Sequence, residues 1–413
     1  MNDLELESMR NSFKTVVEKR KAILKDPKTE KLRKKVQEIR RNSIENNEKL
    51  IKIAEKSFKN NGIDVFHAKN SNNAIELIDN ILLEEFNLKT FDSNNITIAK
   101  AKSNTLREIG LNEHFEGENI QVIDTDLGDR ILQLKETDNS PTHPTGPACH
   151  LNRFNIADIV NKAFNINISS EPREIMDCVK VDVLDKLKNA KVGISGANTI
   201  AADDGSIILV HNEGNISLVS MMDLHIVVAG IDKLVDSIED GISVAKLETI
   251  YATGSPLTSY INVISGPSKT ADIEKKILKN MYGSKRVVLI LLDNGRKKVM
   301  ETIPESLECI GCGSCILTCP IYNVTGNEFG FNSYLGGRGV AMAKYIENSK
   351  TSFDCGLFKC TLCGQCTKIC PVLIPTYDLI EKTRIDSLKD GFSPNEHEKI
   401  KENIKNKGSP YKT

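Results

Sequence analysis

The chain contains no tryptophan, and aromatic residues make up only 5% of its 413 positions. Burial must therefore rest on aliphatic side chains, which the composition supplies. Hydrophobic residues at 39% and charged residues at 27% are ordinary for a globular protein and exclude collagen-like or wholly disordered chains. A charge excess is also missing, since 55 basic side chains face 56 acidic ones. A net charge of -1 gives no electrostatic case for nucleic acid as the main partner. No apolar run approaches the ~18 residues of a membrane-spanning helix, and the longest, Val287–Leu292 between Arg286 and Asp293, reads as a buried strand. The acidic start Met-Asn-Asp-Leu-Glu lacks the basic and apolar regions of a secretory signal. These absences lead us to expect a cytoplasmic protein, free to dock on a membrane-bound partner. No G-x-G-x-x-G follows a strand and no Walker A motif occurs, so a Rossmann nucleotide site is unsupported.

Cysteine is scarce until late in the chain. Of 11 cysteines only Cys149 and Cys178 precede Cys309, and the other nine fall between Cys309 and Cys370. In a reducing compartment such crowding indicates metal ligands rather than disulfides. The spacing is specific. Cys309-x2-Cys312-x2-Cys315-x3-Cys319-Pro320 is followed by Cys360-x2-Cys363-x2-Cys366-x3-Cys370-Pro371. This is the bacterial ferredoxin ligand run written twice, in which the fourth cysteine of each run serves the other cluster. On that rule Cys309, Cys312, Cys315 and Cys370 hold one [4Fe–4S] cluster, and Cys360, Cys363, Cys366 and Cys319 hold the second. Structural zinc is the alternative, but it does not account for a fourth Cys-Pro at the same distance in both runs. Cys355 belongs to neither run and reads as a small buried residue, with a redox-active thiol or an alternative ligand as the other readings. About forty residues separate Cys319 from Cys360, with a helical pattern over 335–348, which points to a mostly helical ferredoxin module.

The rest of the chain divides by pattern. Residues 1–60 read as a helical region whose Lys- and Arg-rich stretch breaks at Asp26-Pro27. Residues 61–300 alternate short apolar strands with amphipathic helices, the signature of an α/β domain with a buried sheet. Strands are expected near 62–66, 96–99, 120–123, 192–195, 206–210, 225–229 and 287–292, with a helix over 70–83 and a Pro-rich loop over 138–147. Residues 301–385 carry the cysteine module, and 386–413 form a charged tail expected to fray over its last dozen residues.

Two segments carry a family resemblance. Val192–Asn215 (VGISGANTIAADDGSIILVHNEGN) and Tyr251–Ile273 (YATGSPLTSYINVISGPSKTADI) resemble the core of the LUD (lactate utilization) domain. The order of parts is similar to that of LutB/LldF-type lactate utilization iron–sulfur proteins, and the resemblance spans roughly residues 60–385. It implies a fold like that of the NagB/RpiA/CoA-transferase class, followed by a mostly helical two-cluster ferredoxin domain. It also implies an electron-transfer role in a multi-subunit system oxidising L-lactate to pyruvate, beside a cysteine-rich subunit and a second LUD protein. A non-catalytic scaffold subunit of another redox complex, or a LUD domain acting on a different small organic acid, stays open on the residues alone.

Within the α/β domain the residues offer several sites. Asn212, Glu213 and Asn215 follow a strand end, where open α/β sheets place their ligands. Glu213 there is either a base toward a substrate hydroxyl, an acyl acceptor, or part of a polar turn closed by Gly214. Gly266–Glu274 has the form of a helix start, where Ser268, Lys269 and Thr270 would hold a substrate carboxylate or phosphate, or simply cap the helix. Ser195, Asn198 and Asp203 lie in a similar Gly-rich turn, and His143 and His150 flank the Pro-rich loop, with inert readings open for each.

Overall fold

The structure is a computed structural model that describes residues 1–91, 96–118, 120–135, 137 and 139–411. Three helices open the chain: α1 (Asp3–Arg20), α2 (Pro27–Glu45) and α3 (Asn47–Asn60). Asn2 caps α1 through a capping box with Glu5, and Asp26 caps α2 with Pro27 in the first turn.

Six strands then build a parallel sheet: β1 (Asp64–Ala68), β2 (Thr97–Lys100), β3 (Gln121–Asp124), β4 (Val192–Ser195), β7 (Leu224–Gly230) and β12 (Arg286–Leu292). Their spatial order is β1-β12-β7-β4-β2-β3, with every pairing parallel. All seven residues of β7 are buried, which is why it reads as an apolar run broken only by His225. Two cores fill the faces of this sheet. One joins Leu50, Ala54 and Phe58 of α3 with Ile175, Val179 and Val183; the other joins Ile78, Leu82, Leu106 and Phe115. Gly193 in β4 is required by close approach, since a Cβ there would lie 1.9 Å from the Val219 carbonyl oxygen.

A second sheet, outside the expected strands but for one, has the order β8-β5-β6-β9. It comprises β5 (Thr199–Ala201), β6 (Ser206–His211), β8 (Leu234–Val235) and β9 (Tyr260–Ile264). The helix Ile238–Thr253 lies against it and meets α1 and α2 on its other side.

One correction falls beside this sheet. The helix expected to start near Gly266 does not form. Instead β10 (Lys269–Thr270) and β11 (Leu278–Lys279) pair as an antiparallel ribbon. Gly266 at φ 128, and Glu274 and Lys275 at φ 50 and 58, are incompatible with helix, and the stretch has no apolar face to bury. The tail also differs: the helix Asn395–Lys407 continues through much of the segment expected to fray. Of the Pro-rich loop, residues 139–147 form no helix or strand, and residue 138 lies outside the described residues.

The cysteine region contains short helices, the ribbon β13 (Gly330–Phe331) and β14 (Tyr334–Leu335), and the helices Gly336–Ile346 and Thr376–Lys389. It shares one core with the N-terminal helices. Met9, Phe13, Val36 and Ile39 pack in the same cluster as Leu247, Tyr251, Ile316, Tyr322, Val340 and Leu379. Among the described residues no helix is long and apolar enough to cross a membrane.

Candidate functional site

In the parallel sheet, β2 leads outward to β3 while β4 leads the opposite way to β7, so the sheet has its topological switch between β2 and β4. Open α/β sheets bind ligands at the carboxyl ends of the strands at such a point. A cavity of ≈ 310 Å³ lies there. Each strand end delivers residues to it: Lys102 and Ser103 after β2, Asp126 after β3, Gly196 and Asn198 after β4, and Asp232 and Lys233 after β7. Its far wall belongs to the cysteine region and includes Cys309, Gly311, Cys315, Tyr334 and Arg338.

The sequence-derived candidates divide in the structure. Asn212, Glu213, Asn215 and Asn198 line the cavity, whereas Ser268, Lys269 and Thr270 do not. The Ser268 amide donates to the Ser284 carbonyl at 2.8 Å, so the amide expected to be free is engaged. Ser195 is fully buried beneath the cavity and bonds His225 Nε2 at 2.8 Å. That histidine has no bonded carboxylate and burial pushes it down to about 4, so the pair is not a nucleophile and base. Asp203 is exposed and lies away from the cavity lining.

Glu213 Oε2 accepts from the Leu127 amide at 3.1 Å. Burial and then nearby Asp126 push its carboxyl up, against that amide and Lys102. Asn212 Oδ1 accepts from Thr258 Oγ1 at 3.1 Å and from the Ser259 amide at 3.0 Å, which makes it a loop brace. Asn215 Nδ2 reaches Thr125 Oγ1 at 3.5 Å.

Three groups were not singled out from the sequence. Lys102 Nζ donates to Asp126 Oδ2 at 2.6 Å and to the Thr145 carbonyl at 3.3 Å. Glu248, on the helix Ile238–Thr253, accepts from Asn198 Nδ2 at 2.8 Å, and burial pushes its carboxyl up. Arg296 closes one side: it reaches Asp232 Oδ1 at 2.7 Å, Glu108 through two donors at 2.9 and 2.7 Å, and the Tyr334 hydroxyl at 2.6 Å. Burial alone would raise the Asp232 carboxyl, but Lys233, Arg296 and Arg40 hold it well below the usual carboxylate range. Positions just after parallel strands were the available signal for Lys102, Asp126 and Lys233.

The two cysteine runs follow one backbone path. Gly311 and Leu362 occupy equivalent places at φ 80 and 55, and Gly313 and Gly364 at φ 70 and 71. Backbone amides approach sulfur in the first run, with Gly311 donating to Cys309 Sγ and Tyr322 to Cys319 Sγ, each at 3.4 Å. The fourth cysteines cross over. Burial first, then the nearby Cys312 and Cys309, push the Cys370 thiol up to about 12. Cys319, pushed up to about 11 mainly by burial, has the thiols of Cys366 and Cys360 nearby. A second cavity, of ≈ 20 Å³, is lined by Cys315 and Cys319 together with Cys360, Cys363 and Cys366.

The surroundings fit an anionic cluster in this cage. Buried and without partners beside the runs stand Arg20 Nη2, His143 Nε2 and Thr318 Oγ1. Buried donors are rarely left unbonded, and these lie next to thiols whose burial keeps them protonated unless iron takes the proton's place. Among the remaining cysteines, the Cys149 thiol contacts Thr142 Oγ1 at 3.3 Å, and burial pushes it up to about 11, which makes it inert. Cys355 is half-buried at the edge of the shared core, its thiol also raised by burial. His150 bonds Thr142 Oγ1 at 2.9 Å inside the Pro-rich loop.

Comparison with known proteins agrees with this division. The LUD domain model matches residues 51–292, and the 4Fe–4S dicluster domain model matches residues 305–374. The dicluster domain makes two [4Fe–4S] clusters the cofactors of the chain. Lactate utilization protein B of Macrococcus caseolyticus is 32% identical over 361 residues, covering 87% of this chain and 72% of that protein. The proteins of that name from Geobacillus kaustophilus and Bacillus subtilis are 33% and 32% identical, over 86% and 87% of this chain and 71% and 72% of their own length. Among solved structures, a DUF162 family protein from Deinococcus radiodurans is 12% identical with a TM-score of 0.31, covering 60% of this chain and 98% of that one.

Proposed function

The chain belongs to the lactate utilization protein B family, and from that premise we propose that it is the iron–sulfur electron-transfer subunit of a multi-subunit system oxidising L-lactate to pyruvate. The observation that carries this reading is the cavity itself, which has the sheet's switch point on one side and Cys309 and Cys315 on the other. A small 2-hydroxy acid held there lies beside one end of an electron relay. Lys102 and Lys233 supply positive charge for the carboxylate, and Asn198 orients Glu248 toward the same space. Glu213, with its carboxyl pushed up by burial, takes the hydroxyl proton.

Oxidation of lactate to pyruvate releases two electrons and two protons. Each [4Fe–4S] cluster carries one electron at a time, so the C2 hydrogen leaves with its electron pair as hydride to a two-electron converter, which we assign to a partner subunit. That converter passes the electrons on singly and releases the second proton. In this reading Cys309, Cys312, Cys315 and Cys370 bind the cluster nearer the cavity, and Cys360, Cys363, Cys366 and Cys319 bind the outer one. The crossed neighbours of Cys370 and Cys319 support this assignment. Cys363 is exposed, so the outer cluster faces the next carrier. The partners are a cysteine-rich subunit and a second LUD protein, assembled in the cytoplasm and able to dock at a membrane-bound acceptor.

The test uses anaerobically loaded protein with L-lactate and an artificial acceptor. The reading expects no turnover by this chain alone, and turnover once the cysteine-rich partner is added. Full turnover by the partners without this chain would remove it from the pathway.

A further inference from the structure

The two cysteine runs match in spacing and backbone path, yet their surroundings differ. The first run is enclosed by parts of the chain distant in sequence. Arg20, the last residue of α1, is 1% exposed. Its Nη1 donates to the Tyr251 carbonyl at 2.9 Å and to Ser314 Oγ at 2.7 Å, which holds the guanidinium beside Cys312 and Cys315. Its Nη2 is buried with no partner. Among the described residues Arg20 makes no ion pair, a costly state for a permanent cation unless an anion stands beside it.

His143 arrives from the Pro-rich loop. Its Nδ1 accepts from the Thr145 amide at 3.2 Å, and a backbone amide can only donate. The imidazole proton therefore sits on Nε2. That nitrogen is buried, makes no well-aligned hydrogen bond, and lies against the Gly313 backbone, where an added Cβ would be 2.4 Å from it. Phe13 of α1 packs edge-on to the ring at 5.7 Å, so α1 and the loop close over the same spot. The second run has no such enclosure. Cys363 is exposed, and the nearby Arg384 donates to the Cys360 carbonyl at 2.6 Å and the Leu357 carbonyl at 3.0 Å.

We propose that Arg20 Nη2 and His143 Nε2 donate to the sulfurs of the cluster held by Cys309, Cys312, Cys315 and Cys370, stabilising its reduced state. The proposal rests on the cluster assignment given under the proposed function. A four-thiolate [4Fe–4S] cluster is anionic and gains one more negative charge on reduction, so a cation and an N–H donor facing it favour the reduced form. Two residues outside the cysteine motif, one on an N-terminal helix and one on a LUD-domain loop, thereby set one cluster's potential without touching the other's. They are positioning residues and take no part in ligation.

The experiment is a potentiometric titration of the full loaded chain followed by EPR. Arg20→Gln and His143→Phe are each expected to lower the reduction potential of the same one of two clusters, leaving the other in place. Arg384→Gln is expected to move only the other cluster. Iron and sulfide are assayed on every sample. Wild-type protein that binds no iron and sulfide would overturn the underlying assignment. Fully loaded variants with unchanged potentials, or with both potentials shifted together, would overturn this proposal. Should Arg20→Gln not load, His143→Phe decides: a lowered potential of that one cluster upholds donation, and an unshifted one overturns it.

Discussion

Replacing Arg296 by Met should be the most damaging single change outside the cysteines. Its guanidinium is 3% exposed and neutralises two buried carboxylates, Glu108 at 1% and Asp232 at 9%. Removing one partner of a buried ion pair costs about 3–5 kcal/mol, because the other charge stays behind unpaired. Here the loss is softened. Asp232 keeps Lys233 at 3.5 Å, and Glu108 keeps Asn294 Nδ2 at 2.7 Å. We therefore expect the lower end, about 3 kcal/mol. With a urea slope of about 3 kcal/mol/M, the midpoint should fall by about 1 M. The pH dependence gives a second check. In the wild type Asp232 lies below its ordinary range, so its stabilisation is present above the unfolded value of ~4 and is lost only as pH falls below it. Without Arg296 that carboxyl rises, while Lys233 and Arg40 still oppose burial. The gap between variant and wild type, compared at pH 8 and pH 5.5, should therefore hold or narrow in acid. Urea unfolding followed by circular dichroism at both pH values measures this. A variant within about 0.5 kcal/mol of wild type at pH 8, or a gap that widens in acid, would refute the reasoning.

Three further outcomes are expected. Cys319→Ala should cut iron from about eight to about four per chain and remove the cluster of the second run, and loss of the first run's cluster instead would disprove crossed ligation. L-Lactate should bind more tightly as pH is lowered from 8 toward the carboxylate range, because the raised carboxyls of Glu213 and Glu248 repel a carboxylate only when ionised; calorimetry should also show Lys102→Met weakening binding about tenfold, the worth of one charge-assisted hydrogen bond. Gly193→Ala should destabilise the fold by about 1–3 kcal/mol of overpacking or more, read as a lowered melting temperature, as its new Cβ meets the Val219 carbonyl, and an unchanged melt would mean the sheet yields there.

What could be read from residues alone follows physical lines. Strands of the parallel sheet are buried on both faces, so Val192–Ser195 and Leu224–Gly230 appear as apolar runs bounded by polar turns. The cysteine runs are legible because cluster ligation imposes fixed local spacing. The second sheet escaped because β5 and β8 are three and two residues long, and β9 is half-exposed without clean alternation. The ribbon at Lys269–Lys279 was mistaken for a helix start because Gly-Pro-Ser followed by Thr suits both a cap and a turn. Glu213 was found, since it follows a strand end, but Lys102 and Glu248 become its neighbours only through sheet order and the placement of a distant helix. Arg20 carried no local signal, and His143 only that of a histidine beside the Pro-rich loop. Their role depends on a core shared between the first 40 residues and the cysteine region.

The most direct test of the account is freeze-quench EPR of the complete anaerobic system after addition of L-lactate. If this chain relays electrons from the hydroxy acid, signals of its reduced clusters should rise within turnover, and a chain carrying Cys319→Ala should stall with electrons held on the first-run cluster. Fully loaded clusters that stay oxidised while lactate is converted would contradict it.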